Sequence, residues 1–267
     1  MDSLIHPKER LYFGICAIVT VLVYGLILLW AIRSFRTFAP LLFYILLFCF
    51  VAFISKGLFI GHLRGNGVRV TDKQFPEVYR SAEMLAQRLE LAGMPGIYVL
   101  QSGGLLNAFA AKFLGRNFVI IYSEILSLAY EQGASALDFV ACHELAHVKR
   151  RHMLWRMALL PSYIIPFLTM AYSRACEYTC DRFGAHYVPE GAVNGILVLA
   201  AGKKLSGRVN VGEYTNQIQA ERGFFVWFAE LLASHPNLPK RVRGVQQHVS
   251  LAPARAFSEV VGSPSNL

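Results

Sequence analysis

The chain has 267 residues, of which 55% are hydrophobic and only 16% charged, and its formal net charge is +9. That is more apolar and less charged than an ordinary soluble domain, and it points to a membrane component. The basic residues are scattered, with no helix-turn-helix, zinc-finger or RNA-binding motif beside them. This argues against nucleic acid as a partner and for a positive surface held against anionic lipid.

Leu11 to Ile32 and Thr37 to Ser55 carry no charge. Each is long enough to cross a hydrocarbon core of about 30 Å at about 1.5 Å per residue. With only "RSFRTF" between them, they predict a transmembrane hairpin tipped by Arg33 and Arg36. A cleaved signal peptide fits less well, because the first run is too long and lacks a small-residue cleavage site. Lys8, Arg10, Lys56, Arg64 and Arg69 flank the other end, so the positive-inside rule places the N-terminus and the remainder of the chain in the cytoplasm. Of the five cysteines, Cys16 and Cys49 fall in the spans. Cys142, Cys176 and Cys180 form no CxxC pair, as expected of reduced thiols.

The glycine-rich stretch that follows reads as a linker, and Pro76 to Leu91 has the apolar spacing of an amphipathic helix ended by "AGMPG". "IYVLQS" reads as a strand. "LLNAFAAKFLGRNFVIIY" reads as two extended segments joined through Gly115 and Asn117, which predicts a small sheet. Ala134 to Arg151 returns to helical spacing, and "VNGILVLAAGKKL" and "TNQIQAERGFFVWFAELLA" predict two more helices.

"HELAH" lies on the helix from Ala134. Positions four apart share a helix face, so His143 and His147 can direct one nitrogen each at a single zinc ion. Glu144 projects about 100° further round, where a carboxylate can take a proton from a water on that ion. A third ligand is still needed. The helical segment "RACEYTCDRFGAHY" offers Glu177, with Asp181 one turn on to orient a histidine from behind. His186 would give an all-histidine site instead; motif spacing favours the glutamate. Met153 to Tyr172 is apolar enough for a third span, but one crossing would part His147 from Glu177 by about 30 Å. Pro161 and Pro166 near its middle predict a helical hairpin instead, its apolar tip around Leu159 to Leu168 either dipping into the cytoplasmic leaflet or packing on the transmembrane pair. An ordinary buried hairpin of the soluble part is the alternative.

"HELAH", the ExxxD of Glu177 and Asp181, "NAFA" at Asn107, Ala108, Phe109 and Ala110, and "HPNLPKRV" from His235 occur in the order of a known family. Together they resemble the membrane-anchored zinc metallopeptidases that include the heat-shock protease HtpX and the CAAX prenyl proteases. The resemblance implies that residues 107–110 form an edge strand on which substrate backbone lies. It also implies that His235 and Arg241 meet the oxyanion. HtpX proteins carry two spans between the metal helix and the third ligand, and this chain has no room for them.

The expected fold is α+β: a zincin-like (gluzincin), mostly helical metallopeptidase domain with a small β-sheet, behind an N-terminal transmembrane hairpin. The expected divisions are a hairpin over 1–61, a linker over 62–74, the metallopeptidase domain over 75–249 and a disordered tail over 250–267. The expected function is HtpX-like, zinc-dependent endoproteolysis of misfolded or membrane polypeptides at a bacterial inner membrane. The rival from another class is a catalytically silent membrane adaptor that binds unfolded segments. An intramembrane protease of the site-two type is disfavoured by Lys149, Arg150 and Arg151 close behind His147.

Overall fold

The computed structural model describes residues 1–101, 108–132 and 134–251. Helix α1 (Pro7–Arg33) starts with proline at its first turn and His6 as cap, Nδ1 accepting from the Lys8 N–H. Helix α2 (Phe35–Asn66) follows after Ser34 alone, so the turn is tighter than the six residues the sequence suggested. Both helices are long and apolar enough to cross a bilayer, and their apolar stretches are almost wholly exposed rather than buried in the protein. Water does not tolerate that much contiguous apolar surface, whereas lipid does.

Helix α2 runs on through half of the expected linker. Its last turns stay helical despite Gly57, Gly61 and Gly65 because Ile60 and Leu63 are buried against the sheet, where they cluster with Tyr98, Phe118 and Ile120. Tertiary packing outweighs local propensity here. The rest of the "linker" supplies strand β1 (Val68–Arg69). With β2 (Gly96–Leu100), β3 (Ala108–Phe113) and β4 (Arg116–Tyr122) it forms a four-stranded mixed sheet of order β1-β2-β4-β3. Strands β3 and β4 are joined at Leu114 and Gly115, both at positive φ, the two-residue hairpin geometry that matches strand twist; Asn117 belongs to β4. Strand alternation sends Ile97, Val99, Val119 and Ile121 to the main core and Tyr98, Phe118 and Ile120 to α2. Both faces are apolar because a membrane helix covers the second one.

Helix α3 (Pro76–Arg88) buries Val78, Ala82, Leu85 and Ala86 as its spacing predicts. Helix α4 (Ser123–Gln132), not anticipated from sequence, leads to α5 (Ser135–Lys149), of which every residue from Phe139 to Val148 is buried. Then come α6 (His152–Ala158), a 3-10 turn over Leu160–Ile164, α7 (Leu168–Tyr187) and α8 (Pro189–Ala201). The apolar 153–172 stretch therefore does double back, with Pro161 inside the 3-10 turn and Pro166 just ahead of α7. The second C-terminal helix expected from sequence is two, α9 (Val211–Ala220) and α10 (Phe224–Leu232), parted at Gly223; α11 (Leu238–Leu251), also unanticipated, closes the fold. The expected tail beyond 251 lies outside the described residues.

Helix α5 sits at the centre, with α7 and α8 pressed against it. Glycine makes the approach possible. A Cβ on Gly191 would lie 1.9 Å from the Ser135 carbonyl oxygen, and one on Gly195 would lie 2.5 Å from the Phe139 ring. The N-terminal half of α1 belongs to the same body. Cys16 packs with Leu159, Tyr172 and Cys176, and Phe13 meets Trp155 edge-on at 5.0 Å.

Candidate metal centre

The packing of α5 on α7 brings His143 and His147 of the first helix against Glu177 and Asp181 of the second. His143 Nε2 and His147 Nε2 are 3.2 Å apart, His143 Nε2 is 3.3 Å from Glu177 Oε2, and His147 Nε2 is 3.4 Å from Glu177 Oε1. Metal–ligand bonds of about 2.0–2.1 Å to the corners of a tetrahedron put neighbouring ligand atoms about 3.3–3.4 Å apart. The two histidine nitrogens stand at about that spacing from one another, and each stands so from one of the two Glu177 oxygens. Glu177 Oε2 is buried yet has no hydrogen-bond partner, which a cation would supply.

Cys180 also brings a ligand atom within 4.8 Å of both histidines. Burial raises its thiol well above the ordinary value. Glu177 is held well below the usual carboxylate range: burial opposes the charge, but His147 and His143 alongside outweigh it. His186, the other candidate ligand, lies elsewhere, against Tyr187 and His248.

Behind the centre, His143 Nδ1 is 3.0 Å from Asp181 Oδ1, close in distance though not aligned as a hydrogen bond. Burial would lower the imidazole, but Asp181 and Glu177 prevail and raise it to about 9. Asp181 is gripped by the guanidinium of Arg241, Nε to Oδ2 at 2.8 Å and Nη2 to Oδ1 at 2.7 Å. This buried fork leaves Arg241 on the far side of Asp181, with only Nη1 approaching Glu177 Oε2, at 3.7 Å. A group expected at the oxyanion is found buttressing a carboxylate.

His235 lies on the open side. Its side chain is 58% exposed, its Nε2 is 3.5 Å from Glu177 Oε1, and its Nδ1 shares a 2.8 Å hydrogen bond with Ser234 Oγ. The loop that carries it is fixed by Arg174, a residue that belongs to none of the sequence motifs. From α7 its Nη1 donates to the carbonyls of Glu230, Leu231 and Ala233 at the end of α10. Arg156, also unanticipated, stands 3.7 Å from Glu177 Oε1 and donates to Ser173 Oγ. Glu144 is buried on α5 between the two histidines in sequence. Ala108, Phe109 and Ala110 begin β3, the end strand of the sheet, which runs beside α5 and α6; Asn107 lies outside the described residues. A groove of about 810 Å³ between α9, α10 and the start of α11 contains none of the zinc-ligand candidates.

The family model described as Peptidase family M48 matches residues 72–165 and 159–249. The chain belongs to peptidase family M48. Its M48 segment begins just after β1 and takes in α5, α7 and nearly all of α11. Among solved structures, the crystal structure of S. mikatae Ste24p is similar at 16% identity with a TM-score of 0.50, over 90% of this chain and 66% of that one. At that identity the likeness is one of fold, and this M48 chain spans about two thirds of the length of that relative. A comparison with curated proteins found no match.

Proposed function

We propose that this M48 protein is a membrane-anchored, zinc-dependent endopeptidase in which His143, His147 and Glu177 hold the ion. The observation that carries the reading is the 3.2 Å separation of the two histidine Nε2 atoms, with one Glu177 oxygen 3.3 or 3.4 Å from each. Zinc bound there would lower the pKa of a water towards about 7 and polarise a scissile carbonyl. The chain's own residues do the rest. Glu144, about 100° round α5 from His143, accepts the proton and returns it to the leaving amine. His235 Nε2 on the exposed side donates to the oxygen on which charge develops. Asp181, held by Arg241, stands 3.0 Å from His143 Nδ1 and so favours turning Nε2 to the metal.

Substrate backbone would add to the outer edge of β3. The Phe109 ring packs towards Phe59 and Tyr122, and Ala108 and Ala110 face the main core. Recognition through main-chain hydrogen bonds at that edge favours broad specificity for extended segments. Two long apolar helices among the described residues do not enclose a membrane chamber, which fits HtpX-like proteolysis of misfolded or membrane polypeptides better than cleavage of a prenylated tail.

The bilayer position follows from helix length. A core of about 30 Å takes about 20 helical residues. Counted back from Arg33, that reaches Phe13, which contacts Trp155 and Tyr172 of the 153–172 hairpin. Counted on from Phe35, it reaches Ser55, beside Phe53, whose ring meets Phe113. The exposed Leu160, Tyr163, Ile164 and Ile165 of the hairpin tip then lie at lipid depth in the same leaflet. Positive residues at this end support, by the positive-inside rule, a cytoplasmic side for it and for the metal centre, at what would be an inner membrane in a bacterium.

The test is zinc content and casein proteolysis of detergent-purified wild type, Glu144→Gln and Glu177→Ala. One zinc retained and activity lost in Glu144→Gln, with zinc lost in Glu177→Ala, is the expected pattern. Equal proteolysis by wild type and Glu144→Gln would sink the catalytic assignment and bring forward the adaptor.

A further inference from the structure

Glu9 is 3% exposed, a carboxylate buried in the first turn of a helix whose remainder is apolar. It serves no span, and its nearest partners lie about 140 residues away. Arg150 Nη2 and Nε donate to Glu9 Oε1 at 2.8 and 3.2 Å, and His152 Nε2 is 3.4 Å from the same oxygen. His152 is 1% exposed, and its other nitrogen, Nδ1, is 2.8 Å from Nδ1 of His147. These contacts are brought about by the chain itself: Arg151 takes the left-handed conformation, φ 54°, which ends α5 and swings His152 back under His147.

The proton assignment along this line has one solution if His147 ligates through Nε2. His147 Nδ1 then carries the hydrogen and donates to His152 Nδ1, His152 carries its hydrogen on Nε2, and Glu9 accepts it. Every donor meets an acceptor. Resting on the zinc reading above, we propose that Glu9 is a positioning residue of the metal centre, acting through His152 to fix the tautomer and ring orientation of His147. The membrane helix is on this account part of the outer coordination shell and not merely an anchor. Cys176 lies near enough to Glu9 and His152 to suggest a second metal site instead, but Arg150 already occupies Glu9 Oε1 and would repel a cation there.

The test measures zinc affinity by competition with a chromophoric chelator, on full-length protein in detergent, together with the melting temperature of the zinc-stripped form. Glu9→Gln keeps size and an acceptor but loses the charge. His152→Gln keeps a donor towards Glu9 but loses the acceptor for His147, and it stands in should Glu9→Gln fail to fold. Zinc binding weaker by about 10- to 100-fold is expected in either variant, with the zinc-stripped melting temperature of Glu9→Gln close to wild type. Wild-type zinc affinity in both variants, even with a lowered melting temperature, would overturn the proposal and leave Glu9 a structural tether. Failure of the wild type itself to bind zinc would instead strike the reading on which this one rests.

Discussion

His147 Nε2 and Glu177 Oε1 stand 3.4 Å apart across the interface of α5 and α7, although 29 residues and a reversal of the chain separate them in sequence. That spacing is held from behind. Asp181, in the Arg241 fork, contacts His143, and replacing the fork's donor tests whether the buttress matters. Arg241→Leu leaves the Asp181 carboxylate buried without its cation, a change that costs about 3–5 kcal/mol. Denaturant unfolding of the zinc-free protein should show a loss of that order. Asp181→Asn should be milder in stability but weaken zinc binding by about 10- to 100-fold in chelator competition. Unaltered zinc affinity would remove Asp181 from the outer shell.

Zinc-free protein should respond to pH with a definite sign. His143 has its pKa raised from 6.5 to about 9 in the fold, so its contribution is complete below about pH 6.5 and is lost as pH rises through about 9. Glu177 and Asp181 are lowered, and their contribution is lost only at acid pH. The chelator-treated protein should therefore melt at progressively lower temperature between pH 6.5 and 9. The zinc-loaded protein, whose His143 is already neutral, should not follow it. Parallel curves for the two forms would contradict the proton–metal competition.

Gly191→Ala should destabilise strongly. The new methyl would meet the Ser135 carbonyl oxygen at 1.9 Å, where backbone on both sides has nowhere to yield. A cost of at least about 1–3 kcal/mol is expected from overpacking, read as a drop in denaturation midpoint with loss of zinc as α5 and α8 part. Gly207→Ala, where an added methyl meets nothing, is the control that should remain near wild type.

The hairpin tip should sit in lipid. A nitroxide at Ile164, 71% exposed, in a Cys49→Ser background leaves only buried cysteines beside the label. In vesicles it should be accessible to oxygen and shielded from a water-soluble nickel relaxant. The reverse ranking would place the tip in water and confine bilayer contact to α1 and α2.

Much of this was legible along the chain because it depends on local periodicity. Residues four apart on a helix share a face whatever surrounds them, so the pairing of His143 with His147 followed from sequence. Two uncharged runs of spanning length identify themselves in the same way. The reversal within 153–172 was legible too, since two prolines sat where ligand geometry demanded a turn. Helices α4 and α11 were not, because their apolar positions become a pattern only against the faces that bury them. The helical end of α2 was hidden by its glycines and is secured by the sheet it covers.

What only the tertiary structure decided is which side chains stand behind the ligands. Arg241 grips Asp181 rather than facing the open side, Arg174 fixes the His235 loop through three carbonyls, and Glu9 reaches His147 through His152. None of these relations has a sequence period, since each depends on a contact between residues 56 to 143 positions apart whose meeting is set by packing. The sequence by itself determined the helix of the HELAH motif, the two long apolar helices and the turn, because those are governed by backbone geometry within a few residues. The outer shell belongs to the fold, because burying a charge is tolerable only where distant segments bring it a partner.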